Sequence, residues 1–443
     1  MRISRDVSTE AAAITASAPA ARLNAALGAV WRRLIEPVLV LMGQGLQSAA
    51  SFLVGILLAR FASIAALGDY TLGMSVWFLT ASLAETLIAT PFTYAVVARA
   101  SSRQQQAVFQ AALAATVGLA VVSGVIVGVA GLVSPALAPL FPALPVAMTL
   151  ALARELIRRR HYAHAEPGRA LKSDIITIVT QFAIMAWVIR QGRLDAEATF
   201  WAVGCGCGLA VGVGLFELRS PVHLSLRTFL LHCRRFSSFG RWLAMGGVCQ
   251  ILSLQSFSWF LYLTSDTSTT GAFSACVAIS SLPNPFLVGM TNYARPALIR
   301  VYRADGWRGL ATRTMQLAGV FVVPVCVFVV AAILFGGKAL GLLYGQGLLW
   351  AQGSLVWTSV ALLAIAGGAP IQLALLAINK PLAVLYLHVG ELAATYLIGL
   401  PLVIAIGLYG AAIGYFAAAA AGFAVLLWFF LRERRRRTEA GAT

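Results

Sequence analysis

Two carboxylates sit where carboxylates are costly. Glu85 lies inside the apolar run 70–98 and Glu391 inside the run 382–405. Each is about 10–15 residues from a run's end, which at about 1.5 Å per helical residue is close to mid-bilayer. An ionisable group at that depth marks an ion or substrate pathway. His388 precedes Glu391 by three residues, so the two share a helix face and can share a proton. The chemistry this suggests is ion coupling at Glu85, His388 and Glu391, not bond making. No nucleophile stands at readable spacing from a base, and no glycine loop is shaped to cradle phosphate.

Other reactive types point the same way. His161 and His164 have a ligand-like spacing, but they lie in an arginine-rich segment with few other donors and read as a solvated basic surface. The six cysteines fall in or beside apolar runs. Cys205-Gly-Cys207 lacks the two-residue gap of a metal or redox pair and reads as packing. No residues are assigned to a cofactor or a metal, and none to catalysis.

Polar residues fall in stripes. At 100° per residue, the second apolar run gathers Thr71, Ser75, Ser82, Glu85, Thr86 and Thr93 within about 100° of arc. The first run gathers Gln44, Gln47, Ser48 and Ser51. The eighth gathers Ser274, Ser281, Asn284, Thr291 and Asn292, and the eleventh His388, Glu391 and Thr395. Ser, Thr and Gln also join helices by ordinary hydrogen bonds. Four stripes on helices that pair across two halves point further, to a shared central cavity.

The elements that must carry these residues follow from composition. The chain is 60% hydrophobic and 11% charged, with a mean hydropathy of +0.84, against about 25% charged in soluble domains. A bilayer core of about 30 Å takes about 20 apolar residues per helix. By that measure the spans are 38–59, 70–98, 107–131, 137–157, 174–190, 199–218, 242–263, 271–293, 315–335, 354–377, 382–405 and 408–431. Pro135, Pro139, Pro142 and Pro145 blur the start of the fourth. The fold class is therefore an all-α polytopic membrane protein of about 12 transmembrane helices.

The net charge of +17 does not indicate nucleic acid, because Lys and Arg occur in short clusters between apolar runs. It reads as topology. With both termini inside, the inner segments hold 29 of the 33 basic residues, leaving Arg60, Arg190, Arg193 and Lys338 outside. Inner segments are expected to be the basic ones. The basic inner segments 158–173 and 219–241 are placed against anionic lipid headgroups. Residues 1–36 have no apolar core like a signal peptide's and read as a cytoplasmic tail with an amphipathic piece, Leu23–Leu34.

The spans divide into two sets of six. Gly68-x-Tyr70 opens the second span after the turn Arg60–Asp69, and Gly271-x-Phe273 opens the eighth after Thr264–Thr270. The expected organisation is an N-lobe at 37–218, a basic linker at 219–241, a C-lobe at 242–431 and a basic tail at 432–443. The lobes would be related by a parallel pseudo-two-fold repeat.

The stretch LLARFASIAALGDYTLGMSV resembles the first hairpin of the polysaccharide-repeat-unit flippases, the O-antigen and exopolysaccharide exporters of the multidrug/oligosaccharidyl-lipid/polysaccharide (MOP) superfamily. Three further segments are similar: Arg154-Glu-Leu-Ile-Arg158-Arg159 to Asp174, Gly271-x-Phe273 through Pro296, and Leu376–Pro381 with Gly407–Gly414. The resemblance implies a two-lobed, alternating-access transporter of the bacterial inner membrane. It would move an undecaprenyl-pyrophosphate-linked oligosaccharide between leaflets, with membrane lipids around it and a polysaccharide polymerase or glycosyltransferases of the same pathway as partners. Family members often line the cavity with several Arg. Here few Arg are expected at membrane depth, leaving Arg60 at the outer mouth and Arg295 at the inner mouth as pyrophosphate contacts. The cavity would further use Gln44, Gln47, Ser75, Ser82, Glu85, Thr86 and Asn284.

Two other readings stay open. Mid-membrane Glu85 and Glu391 also suit a cation-coupled drug antiporter of the same superfamily. A membrane-embedded polysaccharide polymerase or ligase fits less well, because such enzymes display a large arginine-bearing outer loop and the outer loops here are short.

Overall fold

The structure is a computed structural model that describes residues 38–97, 101–134, 137–164, 166–218 and 226–440. The N-terminal tail 1–36, with its amphipathic piece Leu23–Leu34, lies outside the described residues. All regular structure among the described residues is helical. The helices are α1 (Val38–Phe61), α2 (64–97), α3 (Ser102–Val133), α4 (Ala143–Ala163), α5 (Pro167–Arg190) and α6 (Ala196–Leu218). They continue with α7 (Leu226–Thr264), α8 (267–305), α9 (307–344), α10 (Gln352–Ala377), α11 (382–406) and α12 (408–440). Backbone breaks at Gly306 and at Ile406–Gly407 separate α8 from α9 and α11 from α12. Twelve α-helices are thus counted among the described residues, the number read from hydropathy.

Eight helical stretches are long and apolar enough to cross a membrane, nine with the bent pair Thr267–Ser280 and Asn284–Arg295, among the described residues. Helix α4 is not among them. It carries Arg154, Glu155, Arg158, Arg159 and Arg160 within its own length.

The hairpin turns are shorter than the sequence suggests. Ser63 caps α2 by accepting the Ala66 amide at 3.0 Å. Asp266 caps α8 by accepting the Thr269 amide at 2.7 Å. Such caps satisfy first-turn N–H groups that no helical carbonyl reaches. Gly68 and Tyr70 therefore sit inside α2, five and seven residues past the cap. Gly271 and Phe273 sit at the same offsets in α8.

Two wide π turns share one sequence cause. Pro91 lacks an N–H, and its ring would crowd the carbonyl four residues back. The backbone widens at Glu85–Ala89, six residues before it. The second π turn, Thr395–Gly399, begins six residues before Pro401.

Lipid tails are as apolar as leucine, so bundle cohesion comes from close packing and small residues. The largest cluster joins both halves: Leu58 and Leu67 meet Phe257, Phe273, Leu340 and Tyr344. Phe236, near the start of α7, packs with Ile88, Phe92, Phe109 and Leu156 of the first half. Helix α7 therefore touches the first half along its length.

Candidate functional site

Three arginines of α4 project onto neighbouring helices. Asp174 of α5 is fully buried and receives Gln47 Nε2 of α1 at 2.8 Å. Arg154 lies 3.1 Å from it and also donates to Thr177 Oγ1 at 3.2 Å. Arg158 stands 3.7 Å from the other carboxylate oxygen and binds Glu155 at 2.8 Å. Gly43 makes the room: a Cβ there would stand 2.7 Å from Asp174 Oδ2. A buried charge persists only when paired, and here each guanidinium has a carboxylate.

Arg159 extends this network to Glu85. Its Nη2 is 2.7 Å from Glu85 Oε2 and its Nε 3.3 Å from Glu155. Glu85 begins the π turn of α2, and Thr90 donates to it at 3.0 Å across that wide turn. Both charged side chains keep about a third of their surface open, 37% for Glu85 and 32% for Arg159. This is the accessible edge of an otherwise enclosed cluster of three arginines and three carboxylates.

The α2 stripe above Glu85 faces α7. Ser75 is buried and accepts the Trp259 indole N–H at 2.7 Å. Ser82 and Thr86 border Gly247, where a Cβ would stand 2.7 Å from Ser82 Oγ. These three residues make helix contacts between the halves.

The second half holds its own acid–base pair. His388 Nδ1 lies 2.9 Å from Glu391 Oε2. Glu391 borders a small cleft with Ser253, Phe257 and Tyr415, and Gly422 leaves space for its side chain. One turn on, Thr395 and Ser253 hydroxyls meet at 2.8 Å, joining α11 to α7.

The remaining candidates are dispersed. Gln44 is exposed on α1. Asn284 is exposed where α8 bends by 48°, and Arg295 is exposed further along that helix. Arg60 spends its donors on backbone: Nε reaches the Leu343 carbonyl at 2.9 Å and Nη2 the Leu342 carbonyl.

Two expectations need correction. The fourth span was expected at 137–157 and a basic inner segment at 158–173; the helix instead runs 143–163, so Arg158 and Arg159 lie on it with Arg154 and pair with Asp174 and Glu85. A proline signal was legible: Pro142 caps α4 and Pro145 lies in its first turn, where proline belongs. Counting about 20 residues from there reaches the last arginine. His161 is not solvated. It is buried, 2% exposed, with Nδ1 3.1 Å from Glu166. Burial works against ionisation of Glu166, but His161 and Arg169 outweigh it and hold that carboxyl below its usual range. No group of three or more His, Cys, Asp or Glu side chains could hold a metal among the described residues.

No protein-family model and no curated protein matches the chain. Solved structures do. The inward-facing structure of a multidrug resistance MATE family transporter of the MOP superfamily superposes with a TM-score of 0.75 at 14% identity, covering 90% of this chain and 96% of that one. A MOP superfamily transporter from Pyrococcus furiosus, described by the reverse polarity of its binding pocket, gives 0.61 at 13% identity over 90% and 94%. The outward-facing structure of a multidrug resistance MATE family transporter gives 0.58 at 14% identity over 92% and 95%. At these identities the fold is what is shared: the chain is a multi-pass, all-helical membrane protein with the architecture of MOP superfamily transporters.

Proposed function

We propose that this protein is an alternating-access exporter, driven by proton or cation exchange, with Glu85 as the coupling group of its first half. The observation that carries this reading is the Glu85–Arg159 contact. A carboxylate on a π turn pairs with an arginine, both reachable from outside the cluster, beside helix α7 that joins the halves. π turns recur at functional positions. Protonation of Glu85 removes its charge and leaves Arg159 with Glu155 alone, so the guanidinium becomes available to cargo. Glu391 with His388 is the matching group of the second half. The protein acts as a carrier, not an enzyme, in the bacterial inner membrane with both ends cytoplasmic; the 29-to-4 split of basic residues supports that orientation.

A small molecule exported in exchange for protons or another cation is the cargo best supported, since multidrug resistance transporters are among the fold's neighbours. A second reading, a lipid-linked oligosaccharide, is favoured by Arg154, Arg158 and Arg159, whose planar donors match pyrophosphate oxygens. Expression in an efflux-deficient strain separates the two. Resistance to several drugs, lost in Glu85→Gln, supports the small-molecule exporter. Rescue of surface polysaccharide in a flippase-deficient strain, without drug resistance, supports the second reading. A Glu85→Gln variant that transports at the native rate removes the coupling role in either case.

A further inference from the structure

Arg60 is the last polar residue of α1, and it reaches across to the other half. Helix α9 ends at Gly345, whose φ of +102° takes the backbone out of the helix. The last four carbonyls of a helix lack helical donors. Here the Gly345 amide meets the Gly341 carbonyl at 3.1 Å. Arg60 meets the next two, at Leu342 and Leu343. A cation at a helix C-terminus is also favoured by the helix dipole. Deeper along α2 the Trp259 indole also donates to Ser75; nearer the mouth, the other contacts among the described residues of α1–α2 and the second half are of shape. Phe52 packs edge-on to Tyr344 with ring centroids 6.4 Å apart, and the Gly68 and Gly271 backbones cross. Such surfaces part without breaking a directed bond; the Arg60 contact does not.

We propose that Arg60 is the latch of this mouth, a positioning residue that holds the α1–α2 hairpin on the α9 C-terminus and must release before the mouth opens. The assignment rests on the alternating-access reading. It replaces the expected role of Arg60 as a cargo contact, because its guanidinium is already engaged while the mouth is closed. Loss of a charged donor to two carbonyls should raise the open population about tenfold or more.

The test is a distance distribution between spin labels at Arg193→Cys, in the α5–α6 turn, and Trp350→Cys, between α9 and α10, in a cysteine-free background. Both native residues are exposed. Native Arg60 should give mainly the short distance, Arg60→Ala about tenfold more of the long one, and Arg60→Lys an intermediate share. Identical distributions in Arg60→Ala and native protein overturn the proposal. Should Arg60→Ala fail to fold, Arg60→Gln carries the same comparison. A second measurement bridges Arg60→Cys to Leu343→Cys with a short, reducible bis-thiosulfonate linker. Transport should stop and return on reduction; transport through the intact bridge overturns the latch. The distance measurement needs no cargo, so an opening mouth in a protein that moves nothing would sink the transport reading and leave the latch standing.

Discussion

Gly68 of α2 and Gly271 of α8 lie against each other's backbone, each at the point where a side chain would block the other helix. A Cβ on Gly68 would fall inside the Thr267 carbonyl and 3.1 Å from the Gly271 nitrogen. A Cβ on Gly271 would fall inside the Ile64 carbonyl and 3.0 Å from the Gly68 nitrogen. The reciprocity is that of a two-fold relation between the halves. Each glycine is five residues past its helix cap, Ser63 in one half and Asp266 in the other.

Gly68→Ala should therefore force α2 and α8 apart. Overpacking at such a site costs about 1–3 kcal/mol, expected as a lower unfolding midpoint and a larger open population. Gly118→Ala is the control, because nothing lies within 4 Å of a Cβ there. It should be neutral or slightly stabilising. Equal midpoints for the two variants would show that the crossing is not close-packed.

Asp174→Ala should be among the most damaging single changes in the first half. It leaves Arg154 and Arg158 facing a buried gap and strands the Gln47 amide. Removing one partner of a buried pair costs about 3–5 kcal/mol. Chemical denaturation in detergent, with Asp174→Asn as a partial rescue, measures it.

Ser75→Ala removes the acceptor of the Trp259 indole N–H, a contact that spans the two halves. A buried donor left unpaired costs about 1–3 kcal/mol. Loss of stability is expected, together with a shift in tryptophan fluorescence. Ser75→Thr, which keeps a hydroxyl, should retain most of both.

The cap at Asp266 sets a pH window. Hydrogen bonds from Thr269, by side chain and by backbone, hold its carboxyl below the usual carboxylate range. The folded form thus favours the ionised acid, and the stability this provides is complete above the ordinary Asp value of about 3.9. It is lost as pH falls through the lower folded value. Between pH 5 and 8, by that same Asp reference value of about 3.9, the unfolding midpoints of native protein and Asp266→Asn should keep a constant separation. Convergence is expected only in stronger acid, and Asp266→Ala should cost about 1 kcal/mol at neutral pH. A separation that changes between pH 6 and 8 would count against this assignment.

How far the sequence alone reaches is clear from the helices. Apolar runs of about 20 residues can satisfy their backbone in a membrane only as helices, so the helical elements were legible from composition. The Gly-x-aromatic repeat was legible too, because a glycine at a crossing leaves a mark in the chain. The close pairing of His388 with Glu391 follows from their spacing of three. What the sequence could not show is which faces meet. The Ser75, Ser82 and Thr86 stripe reads equally well as a cavity wall or a helix contact, and only packing places it against α7. A helix start displaced by six residues, hidden among prolines, carried Arg158 and Arg159 from an expected loop onto α4, beside Arg154. Their partners, Asp174 and Glu85, lie 20 and 74 residues away in the chain. Arg60 is further still from the α9 carbonyls it binds. Such pairings depend on distance in space, and local periodicity contains no record of it.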